Sequence, residues 1–269
     1  MSGHLRGPLP QRLEAVLHAD LRPPRRRRRL PEPPALGLTP APHPRGPARV
    51  GSARARTSRG VLHAAGIAWF ACTTTLTDAL AAQAAGADVI VAQGMEAGGH
   101  RGTFDPAAAE RTDVGLFALL PHLVDRLDVP VVAAGGIADG RGVAAALALG
   151  ASAVQVGTAL LRSPEAAIDA GWSAALAGLA PERTVPTRAY SGRLGRAAAT
   201  DYVAAWAAPD APPAAHYPVQ RALVGRWRRG DATVDRVNHW AGQSAALATT
   251  DPAGEIVTRM WAEARALLA

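Results

Sequence analysis

The chain has 269 residues, 48% of them hydrophobic, which is enough for one large α/β domain or two small ones. Its formal net charge is +7, but the charge is unevenly distributed. Residues 1–60 contain 13 arginines and three acidic residues, whereas residues 61–269 contain 16 arginines and 19 acidic residues. The globular part is therefore mildly acidic. Because the sequence contains no lysine at all, we attribute the arginine excess to GC-rich coding rather than to a nucleic-acid partner.

Several classes of protein are excluded by simple features of the sequence. Cys72 is the only cysteine, so the chain can form neither an intrachain disulfide nor a multi-cysteine metal site, and we expect no bound metal. The N-terminus lacks the apolar region of a secretory signal. The most apolar stretch, residues 144–161, is interrupted by polar residues, which argues against a membrane span. We therefore expect a cytoplasmic protein with no membrane partner.

Residues 1–60 are predicted to be an irregular or disordered segment, separate from the domain at 61–269. They contain 11 of the 22 prolines and no Phe, Trp or Tyr, so they can bury little apolar area. Residues 9–20 could form one short amphipathic helix within this segment. The five arginines at 25–29 could contact a nucleic acid, but no aromatic residues are interleaved with them, so a solvated arm is favoured.

From residue 61 onward the pattern predicts repeated strand, glycine turn and helix units. The strands are apolar on both faces, as expected for parallel strands that are covered by helices. Beyond residue 163 the pattern is mostly helical. We predict strands at 67–73, 88–93, 129–134 and 153–156, and helices at 76–86, 114–127, 140–149, 234–248 and 251–268. The fold class is α/β of the (β/α)8 TIM-barrel type with a C-terminal helical region.

Glycine turns follow two neighbouring predicted strands. Gly136 follows the strand at 129–134, and Gly157 with Thr158 follows the strand at 153–156, one βα unit later. Glycine lets backbone amides converge on an anion without a Cβ in the way, and a helix N-terminus adds positive potential. In (β/α)8 barrels such turns commonly hold a phosphate. The alternative is that these glycines only turn the chain.

His100 is the main candidate for acid–base chemistry. It lies in the sequence GGHRG just beyond the strand at 88–93, where a neutral imidazole could act as a general base near a bound ring. An ordinary hydrogen-bonded loop histidine is the alternative. Gln93 ends its strand and is a candidate ring contact. We interpret Arg101 as a surface or salt-bridged group, and we place His239 and Trp240 on an amphipathic helix rather than over the site.

These segments resemble the nitronate monooxygenase family, which consists of FMN-dependent (β/α)8 enzymes. The resemblance covers roughly residues 61–269. It implies oxidation of an alkyl nitronate or nitroalkane by FMN and molecular oxygen, with a carbonyl compound and nitrite as products. The motifs that carry it are GADVIVAQGMEAGGHRGTF, VPVVAAGGIADGRGVAAALALGASAVQVGTALL, TRAYSGR and HWAGQSAAL.

The resemblance also implies roles for individual residues. The histidine that deprotonates neutral nitroalkanes in the family corresponds to His100, and the preceding Gly99 corresponds to a flavin contact. The residues that correspond to the FMN phosphate site are Gly136, Gln155, Val156, Gly157 and Thr158. Two alternatives remain open, namely an FMN-dependent NAD(P)H enoyl or quinone reductase, and a non-catalytic remnant whose basic arm binds a polyanion.

The N-terminal part departs from the family pattern. Family members begin with a flavin-contacting strand and two or three further βα units, and the arginine- and proline-rich segment stands in their place here. We therefore expect an incomplete barrel that binds FMN weakly, has low or no turnover, and self-associates through exposed sheet edges. Our hypothesis for residues 25–60 is that they are translated out of frame or are a degenerate remnant.

Overall fold

A computed structural model provides the fold, and it describes residues 15–18, 62–230 and 237–269. The strands are β1 (Ala15–His18), β2 (Phe70–Thr73), β3 (Val89–Gln93), β4 (Gly99–His100), β5 (Val131–Ala134), β6 (Ala153–Val156), β7 (Thr184–Thr187) and β8 (Gly195–Ala198). The helices are α1 (Leu76–Ala85), α2 (Leu116–Val124), α3 (Gly140–Ala148), α4 (Ala170–Leu176), α5 (Asp201–Trp206), α6 (Val219–Gly230) and α7 (Ala253–Leu268). Short 3-10 helices lie in several of the loops.

The main sheet contains the four strands that the sequence predicts. Strands β2, β3, β5 and β6 are parallel and lie side by side in that order, and β1 pairs with the far side of β6 in antiparallel orientation. All residues of β3 and β5 are buried, which explains their continuous apolar runs. Because the strands are parallel, the turns that follow them meet at one edge of the sheet. This edge carries the candidate site.

Helices α1, α2 and α3 cover the sheet and connect its parallel strands. The side chain of Thr75 accepts a hydrogen bond from the amide of Asp78 at the start of α1. Helix α2 is different, because its first amide, that of Leu116, donates to the carboxylate of Glu96 at 2.9 and 3.1 Å. A carboxylate from a distant loop therefore satisfies the start of this helix in place of a local capping residue.

A second, antiparallel sheet has the order β4–β8–β7. Two of its strands, β7 and β8, lie beyond residue 163, where the sequence pattern predicts mostly helix. His100 of β4 pairs with Gly195 of β8, and Thr187 of β7 pairs with the same glycine. The prediction is wrong here because these short strands have weak local patterns and are stabilised by pairing with residues far away in the sequence. The second sheet thus attaches residues 94–103, the loop of His100, to the C-terminal half of the chain.

The C-terminal segment also differs from its prediction. Within the predicted helix 234–248, residues 237–244 form a loop and only 245–247 form a 3-10 helix. The loop backbone bonds to β8 instead of to itself, since the amide of Ala198 donates to the carbonyl of His239 at 2.8 Å. Helix α7 is confirmed, although its first amide, at Ala253, donates to the Glu165 carboxylate rather than being capped by Asp251.

The N-terminal segment is described over residues 15–18 alone, and these form β1. The prediction of a helix at 9–20 is wrong for these four residues, because their backbone pairs with the otherwise open edge of β6. The other residues of that prediction, and the arginine run at 25–29, lie outside the described residues. In the part of the chain that the structure describes, no helix is long and apolar enough to cross a bilayer.

Candidate functional site

The two glycine turns lie next to each other at the carboxyl edge of the main sheet. Ala134, the last residue of β5, pairs with Gln155 of β6, so Gly136 and Gly157 follow adjacent strands. Gly136 has φ of +71°, a conformation that favours glycine. The amides of Gly136, Gly157 and Thr158 donate no hydrogen bond to any residue in the described part of the chain. These three donors are therefore available to an anion.

The two turns differ in the space in front of them. A Cβ placed on Gly157 or on Gly99 would have no protein atom within 4 Å, whereas a Cβ on Gly136 would lie 3.3 Å from Cβ of Glu96. A Cβ on Gly98 would lie 2.6 Å from the amide nitrogen of Gly242 and 3.1 Å from Oγ1 of Thr158. The loop of His100 is thus packed against Thr158 at Gly98, while Gly99 and Gly157 leave room that a ligand can fill.

Residues 241–244 complete the rim of this space. The amide of Gly242 donates to Oγ1 of Thr158 at 3.0 Å, and the hydroxyl of Ser244 donates to the carbonyl of Gly136 at 2.5 Å. The amide of Gln243 donates to the carbonyl of Glu96 at 2.9 Å. Residues 241–244 belong to the motif HWAGQSAAL, which is part of the resemblance, but the sequence assigned them no position at the site, where Gly242 permits close backbone contact.

Gly136 also borders a cavity of about 280 Å³. Its lining includes the side chains of Glu96, Phe117, Gln243 and Ser244. There is therefore room for a small molecule on this side of Gly136, whereas Gly157 and Thr158 do not line the cavity.

Two buried arginines and the half-buried Arg193 hold the loop that carries His100. The guanidinium of Arg101 donates to the carbonyl of Gly94 at 2.8 Å, and that of Arg196 donates to the carbonyl of Met95, also at 2.8 Å. Arg193 donates to the carbonyl of Arg101 from two of its nitrogens, at 3.1 and 2.8 Å. The interpretation of Arg101 as a surface or salt-bridged group is wrong, because it is 3% exposed and its guanidinium donates to backbone carbonyls.

The charges of these arginines affect the electrostatics of the site. Burial lowers the pKa of both Arg101 and Arg196 from its usual value, while Asp113 and Glu96 raise it in part. Guanidinium groups remain charged throughout the physiological range. The loop of His100 therefore contains one buried positive charge and contacts a second, and both favour an anion nearby.

Gln93 lies at the end of β3 and is 9% exposed. Its side-chain oxygen accepts a hydrogen bond from the amide of Gly102 at 2.8 Å, and its nitrogen donates to the carbonyl of His100 at 3.0 Å. Both ends of the side chain therefore hold the loop of His100. This geometry makes Gln93 a support for the loop.

His100 is half-buried and in contact on several sides. Its Nε2 lies 2.6 Å from Oγ of Ser191, and its ring makes edge contacts with Trp240 at 5.1 Å and with Tyr217 at 5.8 Å between ring centroids. Trp240 is on a loop and contacts His100, so the prediction that it lies on an amphipathic helix is wrong. His239 is buried beside it.

The remaining predicted phosphate residues, Gln155 and Val156, lie in β6 just before the Gly157 turn. Val156 is 1% exposed and packs in the main hydrophobic core, so any contact it makes with a phosphate is through its backbone. Gln155 is half-buried. Among the described residues, no group of three or more His, Cys, Asp or Glu side chains could hold a metal ion.

The sequence matches the family described as nitronate monooxygenase over residues 52–263. The chain belongs to the nitronate monooxygenase family. It is 47% identical over 203 residues to a nitronate monooxygenase of Paraburkholderia phytofirmans, an alignment that covers 74% of this chain and 55% of that relative. The chain thus spans little more than half the length of the curated relatives that it matches.

Solved structures give the same assignment. Nitroalkane oxidase from Streptomyces ansochromogenes aligns with a TM-score of 0.71 and 38% identity, covering 80% of this chain and 63% of that one. FabK from Thermotoga maritima aligns with a TM-score of 0.65 and 30% identity, covering 81% and 67%. The nitronate monooxygenase family has the TIM-barrel fold and is FMN-dependent, so both expectations are confirmed for the family. The four parallel strands described here are part of that barrel.

Proposed function

We propose that this chain binds FMN and oxidises alkyl nitronates, and nitroalkanes after deprotonation, to a carbonyl compound and nitrite with molecular oxygen. One observation carries the proposal. The amides of Gly136, Gly157 and Thr158 follow two adjacent strands and donate to no residue in the described part of the chain, and Gly98, two residues before His100, lies against Thr158. We infer that an anion-binding cradle and an imidazole lie at the same edge of the sheet, as a phosphate-bearing cofactor and a proton-transfer step both require.

The residues present fit FMN. We infer that the amides of Gly136, Gly157 and Thr158 bind its phosphate, helped by the adjacent backbone of Gln155 and Val156. Gly99 leaves open space in front of its Cα, which suits contact with a flat ring. We assign Gln93 to this site as the residue that holds the loop against the ring. When bound, FMN supplies the electron acceptor for the nitronate and the centre that reacts with oxygen.

His100 acts on the substrate as a proton acceptor. A neutral nitroalkane must lose a proton from carbon before it becomes the electron-rich nitronate, and an imidazole is suited to take that proton near neutral pH. The product of this step is an anion. The buried guanidinium groups of Arg101, in the same loop, and of Arg196, which contacts it, favour that anion electrostatically. A nitronate supplied ready-made does not need His100 for this step.

An FMN-dependent NAD(P)H enoyl or quinone reductase is the second candidate, and the likeness to FabK is the observation that favours it. It is the weaker candidate, since identity to the nitronate monooxygenase relatives reaches 47% against 30% for FabK. Oxidation of a nicotinamide cofactor in the absence of any nitronate would support it. The third alternative, a polyanion-binding arm, concerns residues outside the described part, and salt-sensitive binding that is lost on deleting residues 1–60 would support it.

We also propose a cytoplasmic location and self-association. Among the described strands, β2 is at an edge of the main sheet, where Phe70 is 44% exposed. An open strand edge with apolar side chains favours pairing with another chain. Light scattering on the purified protein at several concentrations tests this, and a monomer at all of them would exclude it.

The experiment that tests the function compares two substrates on two proteins. Wild type and His100→Ala, both supplied with FMN, receive either a nitronate or the neutral nitroalkane in air, and nitrite and carbonyl compound are measured. We expect His100→Ala to retain activity on the nitronate and to lose about a hundredfold or more on the nitroalkane, since general-base catalysis typically contributes that much. Wild type that forms no nitrite from a nitronate would contradict the proposal.

A further inference from the structure

Ser191 is buried beside His100, and it lies within the TRAYSGR motif, in which no residue was assigned a role from the sequence. It lies in the turn between β7 and β8 and is 2% exposed. Its Oγ is 2.6 Å from Nε2 of His100, 91 positions away in the sequence. The turn packs closely against the segment that contains Ala215, because a Cβ on the neighbouring Gly192 would collide with the carbonyl oxygen of Ala215. Ser191 is therefore held in place beside the imidazole.

The hydroxyl of Ser191 has a second set of partners on its own turn. It donates to the carbonyl of Arg193 at 3.2 Å and accepts from the amide of the same residue at 3.3 Å. A serine hydroxyl has one proton and two acceptor positions. When the hydroxyl of Ser191 donates its hydrogen bond to the Arg193 carbonyl, the Arg193 amide uses one of its two acceptor positions. The remaining acceptor position then accepts a hydrogen bond from Nε2–H of His100.

The alternative arrangement makes fewer bonds. If Ser191 donated to an unprotonated Nε2, its proton would leave the Arg193 carbonyl, and that hydrogen bond would be lost. This hydrogen bond is part-buried, so losing it costs free energy. The network is therefore complete when Nε2 of His100 carries a proton, both in the neutral imidazole and in the imidazolium ion.

We propose that Ser191 is a positioning residue that keeps the proton of neutral His100 on Nε2, so that the basic lone pair is on Nδ1. This inference rests on the proposed function for the role of His100 as a base. In the proton-transfer step, Nδ1 takes the proton from carbon of the nitroalkane, and the electron pair of that C–H bond remains on the nitronate. The Nε2–H···Oγ hydrogen bond is unchanged and stabilises the imidazolium ion that results.

The ring contacts of His100 support a fixed orientation. Trp240 and Tyr217 contact the imidazole by their edges from two sides, and its backbone is fixed by pairing with Gly195 in β8. A rotation that exchanged the two nitrogens would have to displace these rings. Ser191 therefore acts on one defined nitrogen of the ring.

The direct test is the tautomer of His100, read by nitrogen-15 NMR of the histidine side chains in the full chain without substrate. The His100 signals are identified by their absence from His100→Gln. We expect wild type to show the Nε2–H tautomer, Ser191→Thr to retain it, and Ser191→Ala to lose it in favour of a mixture. The Nδ1–H tautomer in wild type would overturn the proposal even if no variant folded.

Kinetics with FMN supplied provide the second arm. Ser191→Ala should lose about tenfold in kcat/KM for the neutral nitroalkane, on the scale of one hydrogen bond to a charged group, with unchanged activity on the nitronate. Ser191→Thr should restore the nitroalkane activity. Ser152→Ala, at the opposite edge of the sheet, is the matched control and should lose neither activity. Equal losses on both substrates in Ser191→Ala would overturn the positioning role, whereas wild type without nitronate activity would overturn the proposed function instead.

Discussion

Thr158 and Gly242, 84 positions apart in the sequence, are joined by a hydrogen bond of 3.0 Å from the amide of Gly242 to Oγ1 of Thr158. The contact is close, since a Cβ on Gly242 would lie 3.3 Å from the same oxygen. Thr158 thus uses its side chain to hold the C-terminal segment, while its backbone amide donates to no residue in the described part of the chain. Under the proposed function, this one residue links the packing of residues 241–244 to the binding of the cofactor phosphate.

Thr158→Val should therefore affect stability and cofactor binding together. The buried amide of Gly242 loses its acceptor, which should lower the free energy of unfolding by about 1–3 kcal/mol. We also expect FMN affinity to fall by roughly tenfold, because the loosened rim no longer orders the cradle. Urea unfolding and FMN fluorescence titration measure the two effects. Thr258→Val, on the exposed side of α7, is the matched control, and equal effects from both variants would exclude the link.

Gly157→Ala should weaken FMN binding without weakening the protein. A Cβ at this position meets no protein atom within 4 Å, and the backbone φ of −123° is accessible to alanine. Unfolding of the free protein should thus be unchanged, whereas the methyl group enters the space assigned to the phosphate. We expect a loss of about tenfold or more in FMN affinity, the scale of one charge-assisted hydrogen bond. Gly254→Ala, also unobstructed, serves as the control. Unchanged FMN affinity in Gly157→Ala would remove the phosphate from this turn.

Arg196→Met should destabilise the loop of His100. Arg196 is 6% exposed and donates to the carbonyls of Met95 and Thr184, each at 2.8 Å. Its removal leaves two buried carbonyls without this donor, and we expect a loss of roughly 3 kcal/mol in the free energy of unfolding. Arg141→Met is the comparison, since the Arg141 side chain is 76% exposed and solvent screens its ion pair, so we expect a much smaller loss. Similar losses for the two variants would show that the buried guanidinium does not support the loop.

The Glu110–Arg188 ion pair should give a small, acid-sensitive contribution to stability. The hydrogen bond from Arg188 lowers the pKa of Glu110 below its usual value of 4.5. A carboxyl whose pKa is lower in the folded state than in the unfolded state stabilises the fold at pH values above the unfolded-state pKa. This contribution is lost as the pH falls through the lowered, folded-state pKa. Because the Glu110 side chain is 52% exposed, we expect Glu110→Gln to cost under about 1 kcal/mol near pH 7.

Urea unfolding of wild type and Glu110→Gln near pH 7 and near pH 3 measures this contribution. The difference between the two proteins should shrink at the lower pH. Glu182→Gln, an exposed carboxylate on a 3-10 helix, should show little difference at either pH. A Glu110 effect that is larger in acid than at neutral pH would contradict the assigned direction of the pKa shift.

The parts of the fold that the sequence predicts correctly are those with strong local patterns. β5 and β6 are short, mostly buried runs followed by a turn, and Gly136 and Gly157 mark where these two neighbouring strands end. These signals are contained in a few consecutive residues. Parallel pairing then brings the two turns together without further information.

The parts that the sequence does not predict depend on contacts between distant residues. The pairing of His100 with β8 and its contact with Ser191 join segments about 90 positions apart, and neither segment has a pattern that indicates the other. Helix α2 likewise begins where the Glu96 carboxylate meets it, not where a neighbouring residue caps it. The burial of Arg101 also depends on contacts that form only in the folded chain. Backbone carbonyls of Gly94 and Thr112 accept hydrogen bonds from its guanidinium, and no sequence pattern indicates these partners.

The most direct measurement of the central claim is the visible spectrum of the FMN-supplied protein when a nitronate is added without air. The account predicts that flavin held by the turns at Gly136 and Gly157 loses its absorbance on addition of the nitronate, and regains it when oxygen enters with release of nitrite. FMN without protein, treated identically, provides the baseline. Flavin that stays oxidised with the nitronate, and is bleached by a nicotinamide cofactor instead, would contradict the account.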